Sequence, residues 1–236
     1  MPNNPANQIE PKFSASFLLI ESSSSHMSVT VCDCNNGKMS RLFHEETDVS
    51  RRESAPLFGM AQRAVKNVFQ NNGHPARIIV GTGPGSYNGI RAGISLAAGL
   101  ALGWNVEYYG ICSLLGTRYC DERRLSESQD GELSPFAVCG DARGGQVFFA
   151  VLEQKNTGVL HLTIPPILLT QDEAFHRAEE KNLPIHFFGR DSELEIHGPL
   201  LARAAGCEEN LTAPEPLYLK PPHITTPKNQ DSIPRF

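Results

Sequence analysis

The sequence predicts an α/β fold of two lobes, each a β-β-β-α-β-α unit, and three observations carry that expectation. Short runs in which apolar and polar residues alternate occur in two groups of three, and that period belongs to half-buried strands. Each group leads into an amphipathic stretch opened by a capping signal, Ser50 with Glu53 in the first half and Thr170 with Glu173 in the second. A further strand and helix then close each half. The halves share this order but no residue-level repeat.

In the first half, residues 17–20 are an apolar strand, and Met27, Val29 and Val31 alternate with polar residues as its hairpin partner. Asn36-Gly37 turns the chain into a third strand, 38–44. Leu57, Phe58, Ala61, Ala64, Val65, Val68 and Phe69 mark one face of a helix that Asn72-Gly73 ends. Residues 77–80 read as a buried strand, followed by a glycine-rich turn and a helix reaching about Gly103. In the second half, strands at 136–139 and 146–152 flank the 141–145 turn, and 159–164 is the third. A capped helix from Thr170, a strand at 184–189 and a short helix between Pro199 and Gly206 follow. These readings give a disordered start, 1–16, lobes over 17–110 and 111–211, an exposed loop over 120–134, and a proline-rich tail, 212–236.

The chain has 236 residues, of which 40% are hydrophobic, enough to fill a core. It has no apolar run of membrane-spanning length, and its first twelve residues lack the apolar segment of a secretory signal. A cytoplasmic protein without membrane attachment is expected. Six cysteines without paired spacing read as reduced thiols. The net charge of −5 gives no electrostatic footprint for gripping nucleic acid unaided.

The most informative stretch is 78–103, a strand, a glycine loop and a helix. Helix N-termini attract anions, so Gly85 and Ser86 are candidate phosphate contacts. The spacing fits neither a Walker loop, since Gly89 is followed by Ile90-Arg91, nor the dinucleotide fingerprint. Ser86 also serves as a helix cap. Gly89, Gly93, Ala97 and Ala101 recur every four residues, which leaves one helix face almost without side-chain bulk. Glycine in a helix costs about 1 kcal/mol relative to alanine, so close packing must offset it. The packing partner is either another subunit's helix or, within the chain, Ala61 and Ala64 of the first helix. Leu57, Ala61, Ala64, Val68, Gly89, Arg91, Gly93, Ala97, Leu100 and Ala101 form the candidate partner interface, and Gly93→Leu is expected to abolish pairing without unfolding the chain.

Other clusters offer weaker chemistry. The first hairpin turn carries Glu21, Ser22 and Ser23 in a run of hydroxyls able to meet phosphate, and the corresponding turn of the second half carries Asp141 and Arg143. Glu21 and Asp141 facing one another across a cleft would hold a divalent cation for an ATP-dependent phosphotransferase or hydrolase. Carboxylates and serines at turns also simply cap the backbone. Cys32 and Cys34 share a strand face, but no second Cys/His pair accompanies them. Eight scattered histidines form no metalloprotease motif, and no metal ligand is assigned.

The run Gly83 to Gly93, G-P-G-S-Y-N-G-I-R-A-G, resembles the G-P-G-S-F-T-G-L-R-x-G stretch of the TsaB (YeaZ) family. The pentad Ser50-Arg51-Arg52-Glu53-Ser54, then Asp141-Ala142-Arg143 with Gln146-Val147-Phe148, and Pro216-Leu217-Tyr218-Leu219-Lys220 follow in the family's order. The resemblance implies an actin/Hsp70-like (RNase H-like) double lobe and a role in making threonylcarbamoyladenosine beside the anticodon of tRNA. It implies a non-catalytic scaffold that pairs with a TsaD-like catalytic subunit, is joined by a TsaE-like ATPase, and meets tRNA only through the complex. A homodimer can use the same face. No cofactor is expected in the isolated chain; ATP and magnesium would sit at a joint site. Where relatives begin I-D-T-S this chain has Ile20-Glu21-Ser22-Ser23, and Tyr87-Asn88 replaces Phe-Thr. A Gcp-like peptidase reading finds neither a nucleophile–base pair nor zinc ligands.

Overall fold

Alternation along the strands of a computed structural model sorts the core into layers. The structure describes residues 15–35, 38–48, 56–71, 73–119, 134–154, 158–188 and 194–220. The first sheet contains β1 (Ala15–Glu21), β2 (His26–Asn35), β3 (Lys38–Asp48), β4 (Arg77–Gly81), β5 (Glu107–Ile111) and β12 (Leu211–Thr212), ordered β12-β5-β4-β1-β2-β3. The second contains β7 (Phe136–Asp141), β8 (Gln146–Gln154), β9 (Leu160–Thr170) and β10 (Ile185–Phe188), ordered β10-β7-β8-β9. β6 (Thr117–Tyr119) and β11 (Leu194–Ile196) pair separately. Each sheet is mixed: β1 is antiparallel to β2 and parallel to β4, while β7 is antiparallel to β8 and parallel to β10.

Among the described residues four α-helices flank the sheets: α1 (Leu57–Val68), α2 (Tyr87–Trp104), α3 (Gln171–Glu180) and α4 (Gly198–Ala205). Leu18, Ile20, Val29, Val31, Ile78 and Val80 pack under α1 and α2. Their strand neighbours Phe17, Leu19, Cys32, Cys34 and Ile79 face the opposite way, into a core shared with Phe136, Val138, Phe148, Ala150 and Leu152 of the second sheet and with α4. The outer face of the second sheet, with Ala137, Cys139, Phe149 and Val151, is covered by Ala174 and Ala178 of α3. A strand buried on both faces carries side chains to two cores at once.

Both three-stranded meanders form as expected, and the Thr170–Glu173 capping box is complete. The Ser50–Glu53 box, the Asn36-Gly37 turn, most of the 120–134 loop, the start 1–14 and the end of the tail lie outside the described residues. Several details differ from the sequence reading. β5 follows α2 and was not foreseen. α1 ends at Val68, short of Asn72-Gly73. Phe58 is 62% exposed and does not belong to the buried face of α1, which is Leu57, Met60, Ala61 and Ala64. The tail does not leave the molecule at 212: β12 adds an edge strand to the first sheet, and Leu217 N donates to Thr82 O at 2.9 Å. Cys32 and Cys34 are free and buried, and burial pushes their thiols up to about 12 and about 11.

Candidate functional site

The site is built where the β1–β2 turn meets the glycine loop between β4 and α2. Glu21 ends β1, Ser22 and Ser23 begin the turn after it, and the three are buried at 0%, 0% and 2% exposure. Glu21 Oε1 accepts from Ser23 N at 2.6 Å, while Oε2 is buried without a hydrogen-bond partner. Burial pushes the Glu21 carboxyl above its ordinary range, and the Ser23 hydrogen bond pulls weakly the other way. A carboxyl with no exposed surface offers no oxygen to a solvated cation.

The glycine loop closes over this turn. Ser22 Oγ donates to Gly89 O at 2.9 Å, and Ser86 N donates to Ser23 O at 2.5 Å. A Cβ at Gly85 would collide with the Ser23 carbonyl, one at Gly89 with the Ser22 carbonyl, and one at Gly81 with Glu21 Oε2. Gly85 and Gly89 thus admit the backbone of the serine turn where a phosphate was expected. Ser86 Oγ accepts from Gly89 N at 3.3 Å, so it caps α2. Carbonyl oxygens pointing into a helix N-terminus take the place an anion would need.

The second turn is different. Asp141 is exposed, and its Oδ1 accepts from Arg143 N at 2.7 Å. Arg143, Gly144 and Gly145 take positive φ angles of 61°, 64° and 74°, and glycine meets that demand without strain at two of the three. Lys220 Nζ donates to Ala142 O at 3.3 Å and to Arg143 O at 2.6 Å. The facing of Glu21 and Asp141 is therefore corrected. Glu21 has no exposed surface to present to a cleft, and Asp141 caps its own turn. The Pro216–Lys220 motif acts as a strap: Leu217 binds the glycine loop, Tyr218 stacks on Tyr87 with ring centroids 5.3 Å apart, and Lys220 closes the second turn.

The bare stripe of α2 is corrected too. Gly89, Gly93, Ala97 and Ala101 are buried against this chain's own sheet. A Cβ at Gly93 would collide with Ser22 Oγ and lie 3.4 Å from Val80 and 3.7 Å from Ile20. The close neighbour is β1 and β4, not a second helix. Leu57, Ala61 and Ala64 are likewise buried in the core, and Val68 packs against it. Gly93→Leu therefore strikes the fold before any pairing. Arg91 is exposed, donates to Tyr87 OH at 2.8 Å and lies over that ring.

A second bare stripe runs down the outside of the same helix. Ala92, Ser95, Gly99 and Gly103 are exposed, and nothing lies within 4 Å of a Cβ built at Gly99 or Gly103. Leu102, 85% exposed, stands beside them. Between α1 and α2 a groove of about 230 Å³ is lined by Phe58, Ala61, Val65, Leu100 and Trp104 with the stems of Gln62 and Lys66. Of the interface residues expected from sequence, only Leu100 and Ala61 line this groove. Phe58, which the sequence placed on the apolar face of α1, was not among the interface residues, nor was Leu102, whose signal was an apolar residue on the polar side of the α2 wheel. Ser113, whose Oγ accepts from Gly83 N at 3.1 Å beneath the loop, left no signal in sequence.

An α/β chain with mixed sheets, a glycine loop sealed by its own turn and a helix pair whose outer faces are exposed among the described residues is the class this geometry defines. The family model for TsaD, the tRNA N6-adenosine threonylcarbamoyltransferase, matches residues 47–167. The chain belongs to that family, and within it to the TsaB (YeaZ) proteins. It is 34% identical over 119 residues to the tRNA threonylcarbamoyladenosine biosynthesis protein TsaB of Bacillus subtilis, covering 50% of this chain and 48% of that protein. It is 35% identical over 81 residues to the protein of the same name from Escherichia coli, covering 34% and 32%. The matched segment thus spans about half the length of the first of these relatives and a third of the second. Two Pseudomonas aeruginosa structures share the fold: a protein with similarity to the peptidase YeaZ, at 18% identity and a TM-score of 0.61, and YeaZ itself, at 16% and 0.57. They cover 88% and 87% of this chain, and each is matched over 100% of its own length. No helix among the described residues is long and apolar enough to cross a membrane.

Proposed function

We propose that this chain is a non-catalytic subunit of a cytoplasmic complex that forms threonylcarbamoyladenosine in tRNA, and that it pairs with a TsaD-like catalytic subunit through the outward faces of α1 and α2. The observation that carries the reading is the uncovered strip of Phe58, Leu102, Gly99 and Gly103 beside an apolar groove. Bare glycine positions let a second helix come close, and flanking apolar side chains give it surface to bury. A non-catalytic role is supported by the serine turn, whose carbonyls fill the place of a phosphate, and by the sealed Glu21. Any ATP and magnesium belong at a joint site or with a TsaE-like ATPase, and tRNA is reached only through the complex, since the chain carries a net charge of −5. The two sheets correspond to the two lobes of an actin/Hsp70-like pair divided near residue 110, with α4 and β12 returning to the first lobe.

The test is co-purification with the TsaD-like subunit. Phe58→Glu together with Leu102→Glu places charge on exposed positions and leaves the fold intact, and retention of the partner is expected to fall at least about tenfold. Full retention rejects the surface. Loss of self-association with the TsaD-like subunit still bound assigns the face to a homodimer instead.

A further inference from the structure

Where β2 and β3 approach the start of α4, side chains from three elements converge with no part in the proposed pairing. Thr30 lies opposite His44 across the β2–β3 ladder, Ser28 opposite Glu46, and His26 opposite Asp48, all on one face of the sheet. His197 is the residue before α4. Its N donates to Gly116 O at 2.8 Å and its O accepts from Leu201 N at 3.0 Å, which pins its backbone from both sides. Gly198 follows, and a Cβ there would crowd Thr30 Oγ1 at 2.9 Å and His44 Cε1 at 3.2 Å. Glycine at this point lets the imidazole of His197 reach the hairpin.

The geometry points to a binding site for a divalent first-row transition metal ion, of which Zn²⁺ is the natural probe, held by His44, Glu46 and His197. One ligand atom from each lies within 4.8 Å of the other two. His44 Nε2 is 2.9 Å from Glu46 Oε2. Ligands sharing one tetrahedral Zn²⁺ stand about 3.4 Å apart, and rotation of the partly exposed Glu46 side chain closes the difference. Two imidazoles and one carboxylate suit zinc and its neighbours better than magnesium or calcium.

Unsatisfied groups mark the same spot. His197 Nδ1, His26 Nε2 and Ser28 Oγ are buried without hydrogen-bond partners, although His26 Nε2 stands 3.4 Å from Glu46 Oε2. Buried polar atoms left unpaired are uncommon, and among the described residues these have no partner. Of the nearby cations, Arg118 is paired with Glu195.

His44 Nδ1 is 3.0 Å from Thr30 Oγ1. With His44 Nε2 on the ion, Nδ1–H would donate to the Thr30 hydroxyl. This second hydrogen bond fixes the ring with Nε2 toward the ion. The ion would tie the β2–β3 hairpin to α4.

The full chain, stripped of metal by chelator, is titrated with Zn²⁺ by calorimetry and with Co²⁺ by visible absorption. One Zn²⁺ per chain is expected, with a rise in thermal midpoint, and Co²⁺ should give visible bands of a nitrogen–oxygen site. His44→Ala and His197→Ala should each weaken binding at least about tenfold. Glu46→Gln should lose the metal-dependent rise in midpoint. Absence of saturable binding overturns the site, as do undiminished affinity in Glu46→Gln and a thiolate-to-metal charge-transfer band, which would place the ion on cysteine.

Discussion

The two hairpin turns that follow β1 and β7 occupy the same place in their meanders and have opposite fates. The β1 turn, Glu21 to Ser23, is sealed: the glycine loop rests on its carbonyls, and its carboxyl has no exposed surface. The β7 turn is exposed, capped by Asp141 and held from outside by Lys220. Both carry a carboxylate at the end of the first strand, yet in one burial sets the chemistry and in the other water does. What a turn can do is decided by what packs on it.

The largest break in this comparison comes from α2, the helix that follows the loop and packs on the β1 turn. Gly93→Leu would drive a side chain into Ser22 and the β1–β4 strands, and the loss of stability is expected to reach about 3 kcal/mol or more by urea denaturation. Gly145→Ala, with φ of 74° but open space around it, is expected to cost about 1 kcal/mol, from backbone strain alone. Equal losses at the two sites would mean that the loop is not packed on the turn.

Glu21→Gln sharpens the comparison through pH. A carboxyl raised above its ordinary value of 4.5 keeps its proton longer in the folded chain than in the unfolded one. Its contribution is therefore complete below that ordinary value and is lost as pH rises through the native value. Urea midpoints of wild type and variant should agree in acid and diverge in the variant's favour toward neutral pH. Steeper acid loss in the wild type would show Glu21 ionised and would reopen the cation-holding role. The smallest effect belongs to Lys220→Ala, which removes hydrogen bonds to two carbonyls of the exposed turn and is expected to cost about 0.5 kcal/mol.

Much of the fold was legible in sequence because its signals are local. Alternation at Met27, Val29 and Val31 placed β2, the Thr170–Glu173 box placed the start of α3, and Pro199 with Gly206 bracketed α4. β5 escaped because its residues, E-Y-Y-G-I, show no clean alternation. β12 escaped because two residues make a strand only where an edge is waiting for them. Of the candidate site, Ser86 as a cap and Asp141 as a turn residue could be read directly, since each acts within three residues of itself.

Alone, the sequence determined the order of strands and helices, the bareness of α2 along Gly89, Gly93, Ala97 and Ala101, and, through the 83–93 motif, the family. Spacing fixes which residues share a helix face, because the helix repeats every 3.6 residues. It does not fix what that face meets. Tertiary structure decided that the inward stripe lies on the chain's own β1 and β4, that Ser95, Gly99 and Gly103 look outward, that Glu21 is sealed, and that His44 and Glu46 meet His197. Each of these contacts joins residues far apart in the chain, and only the packing of the sheets and helices brings them together.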